Sequence, residues 1–153
     1  MATWSENSRK AGNVTFTACS IDDKVVQLTL NDAQVVFEPS CWQADGTETR
    51  LTVVFSGVDE DIKKRLLAME HSIGATTSCI KDDTVRVKIN MDKVRIYDAN
   101  RTIVDAPKTW RGWSVNAFLH LRGKWQTRQG SGLSIDVMDL QFLEASKERP
   151  CPF

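Results

Sequence analysis

The feature that most constrains the fold is a strict alternation of apolar and polar side chains in the second half of the chain. In the stretch TVRVKIN, which begins at Thr84, valine and isoleucine alternate with Arg86 and Lys88. The same alternation returns over residues 93–97 and 114–125. A period of two places successive side chains on opposite faces of a β-strand. The chain is therefore predicted to be mostly β, with one face of each strand buried.

Further strand signals flank this region. Runs of β-branched, aromatic and aliphatic residues separated by turn signals predict strands over 14–17, 24–30, 34–37, 51–55 and 132–142. A short strand is also expected over 102–104. Strand signals thus extend to both halves of the chain, with one exception.

That exception is one helical segment. Acidic residues from Asp59 to Asp61 suit a helix N-terminus, and Ile62, Leu66 and Met69 recur at helical spacing. The pattern predicts a helix at about 58–71, between strands. Strands, one helix and more strands are typical of a small OB-like Greek-key barrel. A β-sandwich with an accessory helix is the alternative, and a parallel α/β fold would need more helices.

Length and composition predict one domain. The chain has 153 residues, of which 41% are apolar, enough for a single core. Residues 1–12 are polar and are expected to form a flexible arm, 13–143 the domain, and 144–153 a polar tail. Neither an 18-residue apolar run nor a signal-peptide pattern occurs, which predicts an intracellular protein without a membrane span.

Motifs for catalysis and metal binding are missing from the sequence. The four cysteines form no CxxC pair, and neither His71 nor His120 stands at a ligand spacing from a cysteine. No GxGxxG, P-loop or GxSxG motif is present. We therefore expect no metal, no cofactor and no enzymatic activity.

The balanced net charge conceals a gradient. Residues 1–76 carry 7 basic and 11 acidic side chains, whereas 77–153 carry 13 and 9. Within 86–128 there are 10 basic and 3 acidic residues, interleaved with five aromatic ones. Single-stranded nucleic acid offers phosphates, which Lys and Arg neutralise, and unpaired bases, which stack on aromatic rings. This composition therefore points to a nucleic-acid surface.

The candidate site is defined by strand parity and by one loop. Residues opposite the aliphatic rows are expected on an exposed face, and Trp110 and Trp113 lie in a loop that is expected to close over a bound strand. Trp125 shares the parity of the aliphatic row and is expected in the core. Predicted phosphate contacts are Arg86, Lys88, Lys93, Arg95, Lys108, Arg111, Arg122, Lys124 and Arg128, and predicted base contacts are Tyr97, Trp110, Trp113 and Phe118.

A second interpretation stays open, because sheets normally expose charges and bury aromatic residues. On that interpretation the chain is a β-rich structural or protein-interaction module, such as a viral assembly protein, without nucleic-acid binding. It predicts buried Trp110 and Trp113 and a partner whose binding is insensitive to salt.

The stretch from Trp110 to Phe142 resembles the closing strands of OB-fold single-stranded DNA-binding proteins of bacteriophages and large DNA viruses. The matching segments are LRGKW at 121–125, Gly132-Leu133 and DLQ at 139–141. The resemblance implies a largely sequence-independent protein that protects or organises single strands in replication or recombination. For a viral protein it implies the cytoplasm or nucleus of a host cell. The residues do not distinguish DNA from RNA.

The C-terminus carries a fainter resemblance to the same family. Pro152-Phe153 is similar to a terminal motif that docks replication proteins, although the family's tail is acidic there and this one reads KERP at 147–150. The resemblance implies replication proteins as partners. The sequence leaves the oligomeric state open, including a homo-oligomer.

Overall fold

The computed structural model describes residues 3–11, 14–20, 26–40 and 49–145. These residues form nine strands and one helix. The strands are β1 (Thr3–Ala11), β2 (Val14–Ser20), β3 (Val26–Val35), β4 (Arg50–Ser56), β5 (Ile80–Lys81), β6 (Thr84–Asn90), β7 (Arg95–Tyr97), β8 (Trp113–Gln126) and β9 (Ser131–Ala145), and the helix is α1 (Glu60–Ser72). The prediction of a mostly β chain with one helix is confirmed.

Five strands close a ring in the order β3, β4, β6, β9, β8 and back to β3. Neighbours in the ring are antiparallel except β6 and β9, which are parallel. The ring agrees with the OB-like prediction. Two seams are short, since β3–β4 and β6–β9 share two register pairs each. The sandwich description would divide the same strands at these seams.

The interior of the ring is the core, and the alternation decides which residues enter it. In β6, Val85, Val87 and Ile89 are buried while Arg86 and Lys88 are exposed. The aliphatic residues of β8 and β9 belong to the same core. Period-two patterning therefore fixes both the core and the outward-facing residues.

The helix begins within the acidic run, close to the predicted position. Asp59 is the N-cap and its carboxylate accepts a hydrogen bond from the backbone N–H of Asp61 at 2.7 Å. Near the other end Glu70 is buried and accepts bonds from Ser78 Oγ (2.6 Å) and the Cys79 backbone N–H (2.8 Å). These bonds fasten the segment after the helix to the body of the protein.

The predicted flexible arm over 1–12 is wrong for residues 3–11, which form β1 and pair with β2. The cause lies in the length of β8. Strand β3 pairs with β8 only over residues 114–121, so the edge from Gly123 to Gln126 is left for β2. An unpaired edge is a template for another strand, and β2 and β1 extend the sheet there.

Two other sequence expectations differ from the structure. The strands predicted over 24–30 and 34–37 are not separated by a turn, because β3 runs through Asn31-Asp32 with a register irregularity and a positive φ of 55° at Asp32. The expected tail at 144–153 begins inside β9, which ends at Ala145; 146–153, including Pro152-Phe153, lie outside the described residues. Within the described part of the chain, the helix is too short and polar to cross a membrane.

Candidate nucleic-acid interface

One outer face of the ring collects most of the predicted strand residues. Two cross-strand rows define this outer face. The first row is Thr29, Phe118, Asp139 and Arg95, and the second is Gln27, His120, Asp136 and Lys88. Residues paired across neighbouring strands project on the same side of a sheet. A concavity lies at each end of this face.

The first concavity, here called the Tyr97 groove, has a volume of about 270 Å³. Half-buried Tyr97 and Phe118 line it together with exposed Arg101. Arg101 follows the Asp98-Ala99-Asn100 turn with a φ of +64°, and that turn brings it beside Tyr97. Two aromatic residues predicted to stack bases therefore share one groove with a cation.

Three other polar side chains of the Tyr97 groove, those of Asn116, Asp139 and Gln141, are engaged in hydrogen bonds within the protein. Asn116 Nδ2 donates to Gln141 Oε1 at 2.9 Å, and Asn116 Oδ1 accepts from the Asp32 backbone N–H at 2.9 Å. The Arg95 guanidinium forms two hydrogen bonds to the Asp139 carboxylate, at 2.7 and 3.2 Å. This pairing raises the pKa of Arg95 above its ordinary value. Arg95 is thus neutralised locally by its neighbour.

The second concavity, the Trp125 groove, has a volume of about 420 Å³. Arg50 of β4 and Arg86 and Lys88 of β6 line it, with half-buried Trp125 of β8 on the other side. Val87, Leu133 and Ile135 contribute apolar lining. Lys88 Nζ donates to Thr52 Oγ1 at 2.7 Å, which orients the ammonium. Three cations therefore face one large aromatic ring.

The placement of Trp125 corrects its predicted position in the core. Leu121 pairs with Ile135 and Gly123 pairs with Ser134, so Arg122 is an extra residue in β8. A β-bulge of this kind inverts the alternation that follows it. Trp125 consequently pairs with Gly132 and joins the outer face. Glycine within a strand often marks a bulge, so Gly123 was the sequence signal for this change.

Trp110 is the opposite correction, because it lies in the core. It is 5% exposed, and its ring packs edge-on against Phe142 with centroids 5.1 Å apart. Trp113 packs against the same ring at 5.4 Å and is half-buried. The Glu38 carboxylate accepts hydrogen bonds from the backbone N–H groups of Trp110 (2.8 Å) and Arg111 (2.6 Å). These contacts fasten the loop, so Trp110 has no free face for a base.

The other predicted cations are dispersed. Lys93, Lys108, Arg111 and Arg128 are exposed, but they are not among the residues that line the two grooves. The bulge also inverts Lys124, which pairs with buried Leu133. Arg122 lies between the grooves and its Nε contacts Asp136 Oδ2 at 2.8 Å. Sequence reasoning left out Arg50, the first residue of β4, and Arg101, which lies in the loop after β7.

No family model and no curated protein sequence matches this chain. Solved structures do. The C-terminally truncated single-stranded DNA-binding protein of bacteriophage Enc34 superposes with a TM-score of 0.59 at 11% identity, covering 94% of this chain and 95% of the other.

The fold resembles that of a phage single-stranded DNA-binding protein. The same Enc34 protein in complex with single-stranded DNA gives a TM-score of 0.55 at 11% identity, covering 93% of this chain and 95% of that one. A further Enc34 structure gives 0.54 at 10% identity, covering 95% and 93%. The likeness spans nearly the whole of both chains, and at this identity it establishes the fold.

Proposed function

We propose that this protein binds single-stranded DNA along the outer face, from the Tyr97 groove to the Trp125 groove. The observation that carries the proposal is the pairing of aromatic and basic side chains in both grooves. Tyr97 and Phe118 lie with Arg101 in one, and Trp125 lies with Arg86 and Lys88 in the other. Stacking on aromatic rings and neutralisation of phosphates are the two interactions that single strands require.

The dimensions of the face suit a short stretch of single strand. Phe118 and Trp125 are seven residues apart on β8, which corresponds to roughly 23 Å of strand. Arg122 lies between them. Of the side chains that define this path, six are basic (Arg50, Arg86, Lys88, Arg95, Arg101 and Arg122) and two are acidic (Asp136 and Asp139). The excess of positive charge favours a polyanion.

Binding without strong sequence preference follows from the polar groups of the Tyr97 groove. Gln141 Nε2 donates to the backbone carbonyls of Asp98 (3.3 Å) and Ala99 (3.4 Å), while its Oε1 accepts from Asn116. Amides already engaged within the protein are poor readers of base edges. Aromatic stacking tolerates every base, because each base has a π-face.

The remaining parts of the proposal follow from the ligand. Lys93, Lys108, Arg111, Lys124 and Arg128 would contact phosphates outside the grooves. We place the protein inside a cell or host cell, protecting single strands in replication or recombination without catalysis or cofactor. Its partners would be replication proteins that bind Pro152-Phe153. The solved Enc34 complex with single-stranded DNA supports the choice of DNA as ligand.

The test is a titration of labelled dT oligonucleotides, followed by fluorescence anisotropy and by tryptophan emission at 50 and 200 mM salt. We expect binding that weakens steeply with salt and is accompanied by tryptophan quenching. Trp125→Phe should remove most of the quenching. Lys64→Gln, which deletes an exposed cation of α1 that lines neither groove, is the matched control. Absence of binding at 50 mM salt would contradict the proposal and favour a protein-interaction module.

Oligonucleotides of rU and a duplex, used in the same titration, define the ligand. Equal affinity for dT and rU would extend the proposal to single strands in general. A duplex bound more tightly than dT would argue against stacking in the grooves, since paired bases present no free face at the strand interior.

A further inference from the structure

The centre of the outer face holds a carboxylate shared by two arginines. Asp136 Oδ1 lies 3.2 Å from Arg50 Nη2, and Asp136 Oδ2 lies 2.8 Å from Arg122 Nε. Arg50 comes from β4, which lies beyond β6 on one side of β9, and Arg122 comes from β8, which borders β9 on the other side. The Asp136 side chain is 19% exposed, whereas the arginines are 55% and 48% exposed. Two exposed cations thus converge on one largely buried anion.

Two further nitrogen-bearing side chains lie beside Asp136. His120 of β8 and Lys88 of β6 are its direct register partners on the outer face. His120 Nε2 is buried and has no hydrogen-bond partner among the described residues. Arginine binds carboxylates and phosphates through the same N–H donors. Arg50 and Arg122 are therefore suited to bind two oxygens of one phosphate. The Asp136 carboxylate occupies that position here.

We propose that Arg50 and Arg122 form a binding site for one DNA phosphodiester, and that Asp136 occupies this site in the free protein. The inference rests on the proposed function. When DNA binds, the phosphate takes the two guanidinium groups and the carboxylate gives them up. Both arginines are about half exposed, so solvent screens their attraction to Asp136 and the exchange costs little. Asp136 holds the arginines over the path of the strand and also competes with the ligand.

Competition between Asp136 and the phosphate predicts that removing the charge of Asp136 raises the affinity for DNA. Asp136→Asn keeps the size of the side chain and removes its charge. Both arginines then meet the phosphate without an anionic rival, so affinity for dT should rise about five- to tenfold at 50 mM salt. One more released counterion should steepen the logarithmic salt dependence by about one. The gain should consequently shrink as salt is raised.

The control is Asp61→Asn, which removes an equal charge from the first turn of α1. It should leave dT affinity within about twofold of the parent value. Thermal unfolding followed by circular dichroism checks that each variant is folded. Because a folded Asp136→Asn protein with unchanged or lower affinity would overturn the inference, the outcome is decisive in either direction.

A variant of the arginine provides a second route should Asp136→Asn fail to fold. Arg122→Gln should lower affinity and make the salt dependence shallower by about one. If Arg122→Gln alone leaves affinity unchanged, the inference is refuted, and where Asp136→Asn does fold, its gain should fall to less than half in the double variant. A full gain without Arg122 would refute the shared phosphate site.

The two proposals fail in different ways. If the parent chain and all variants fail to bind dT, the proposed function is wrong. If the parent binds, the Trp125 groove variants described below lose affinity, and Asp136→Asn changes nothing, then DNA binding stands and Asp136 is only a structural ion-pair partner.

Discussion

The two grooves divide the same chemistry unequally. The Tyr97 groove has two aromatic rings and one cation, Arg101, while the Trp125 groove has one aromatic ring and three cations, Arg50, Arg86 and Lys88. The second is also larger, at about 420 against 270 Å³. If both contact DNA, the Trp125 groove should supply most of the salt-dependent affinity and the Tyr97 groove mainly stacking. The difference makes the contributions of the two regions separable.

The inequality arises from which strands border β9. Near the Trp125 groove β9 meets β6, whose outward residues are Arg86 and Lys88. Farther along, β9 meets β7, whose outward cation Arg95 is paired with Asp139. On the same edge of β9, strand β6 therefore supplies two positive charges to the Trp125 groove, whereas β7 supplies an arginine that is already paired with Asp139.

The largest effect is expected from removing the cations of the Trp125 groove. Arg86→Gln with Lys88→Gln should weaken dT binding by about 3 kcal/mol, or roughly a hundredfold, from two charge-assisted contacts. The salt dependence should become shallower by about two. Anisotropy titrations between 50 and 200 mM salt measure both quantities.

Arg101→Gln is the matched comparison from the other groove. It should lose about one contact and shift the salt slope by about one. A loss as large as that of the Arg86, Lys88 double variant would show that the division between the grooves is wrong.

The next effect concerns the aromatic ring of the Trp125 groove. Trp125→Ala should cost about 1–3 kcal/mol of binding, the value of one stacked base. Trp125→Phe should recover most of the affinity, because a smaller ring still stacks. Trp110→Ala should instead lower the melting temperature and leave the affinity of the folded fraction unchanged, because Trp110 is 5% exposed. Equal losses of affinity in both alanine variants would contradict the assignment.

These two tryptophans show how far the sequence determines the site. Alternation placed Tyr97 and Phe118 on the outer face correctly. Between the start of β8 and Phe118, the pairing of β8 with β9 is irregular only at Ser114. Trp125 lies beyond the bulge at Arg122, where parity is inverted. A bulge depends on how two strands meet, so alternation within one strand does not reveal it. The burial of Trp110 depends on Phe142, which is distant in sequence.

The fold was more predictable than the site, for a related reason. The core pattern and the capped helix are local properties of the sequence, and both were confirmed over 84–90 and 60–72. The strand at 3–11 was missed because its residues carry weak local signals. It forms where the length of β8 leaves an edge for β2, and this is a property of the assembled sheet.

Phe118→Ala should produce a smaller loss than Trp125→Ala, about 1 kcal/mol in binding. Phe118 is half-buried and its ring makes an edge contact with His120 at 5.2 Å, so only part of it is available to a base. The Tyr97 groove should retain stacking through Tyr97. Anisotropy at one salt concentration suffices, and Phe118→Tyr should restore binding. A loss exceeding that of Trp125→Ala would reverse the ranking of the two rings.

A subtler change tests the position of the Trp125 ring. A Cβ at Gly132 would lie 3.0 Å from Cε2 and Cζ2 of Trp125 and 3.0 Å from the Thr77 carbonyl oxygen. Gly132→Ala should therefore displace the indole and cost about 1 kcal/mol of stability through overpacking. Affinity for dT should fall by less than in Trp125→Ala. A shifted tryptophan emission maximum would report the displacement, and unaltered emission with parental affinity would argue that the ring position is unimportant.

The smallest effect is a local report of which groove DNA covers. Cys79 lines the Trp125 groove. Burial and then the charge of Glu70 raise the pKa of its thiol from 9.0 to about 12. The thiol therefore stays neutral at pH 8, and its alkylation rate should rise about tenfold per pH unit without a plateau below pH 11. Because the unfolded thiol ionises at pH 9.0, stability should decline between pH 9 and 12.

In a chain whose other three cysteines are serine, dT should slow alkylation of Cys79. An unprotected thiol under saturating dT would mean that the strand does not enter the Trp125 groove.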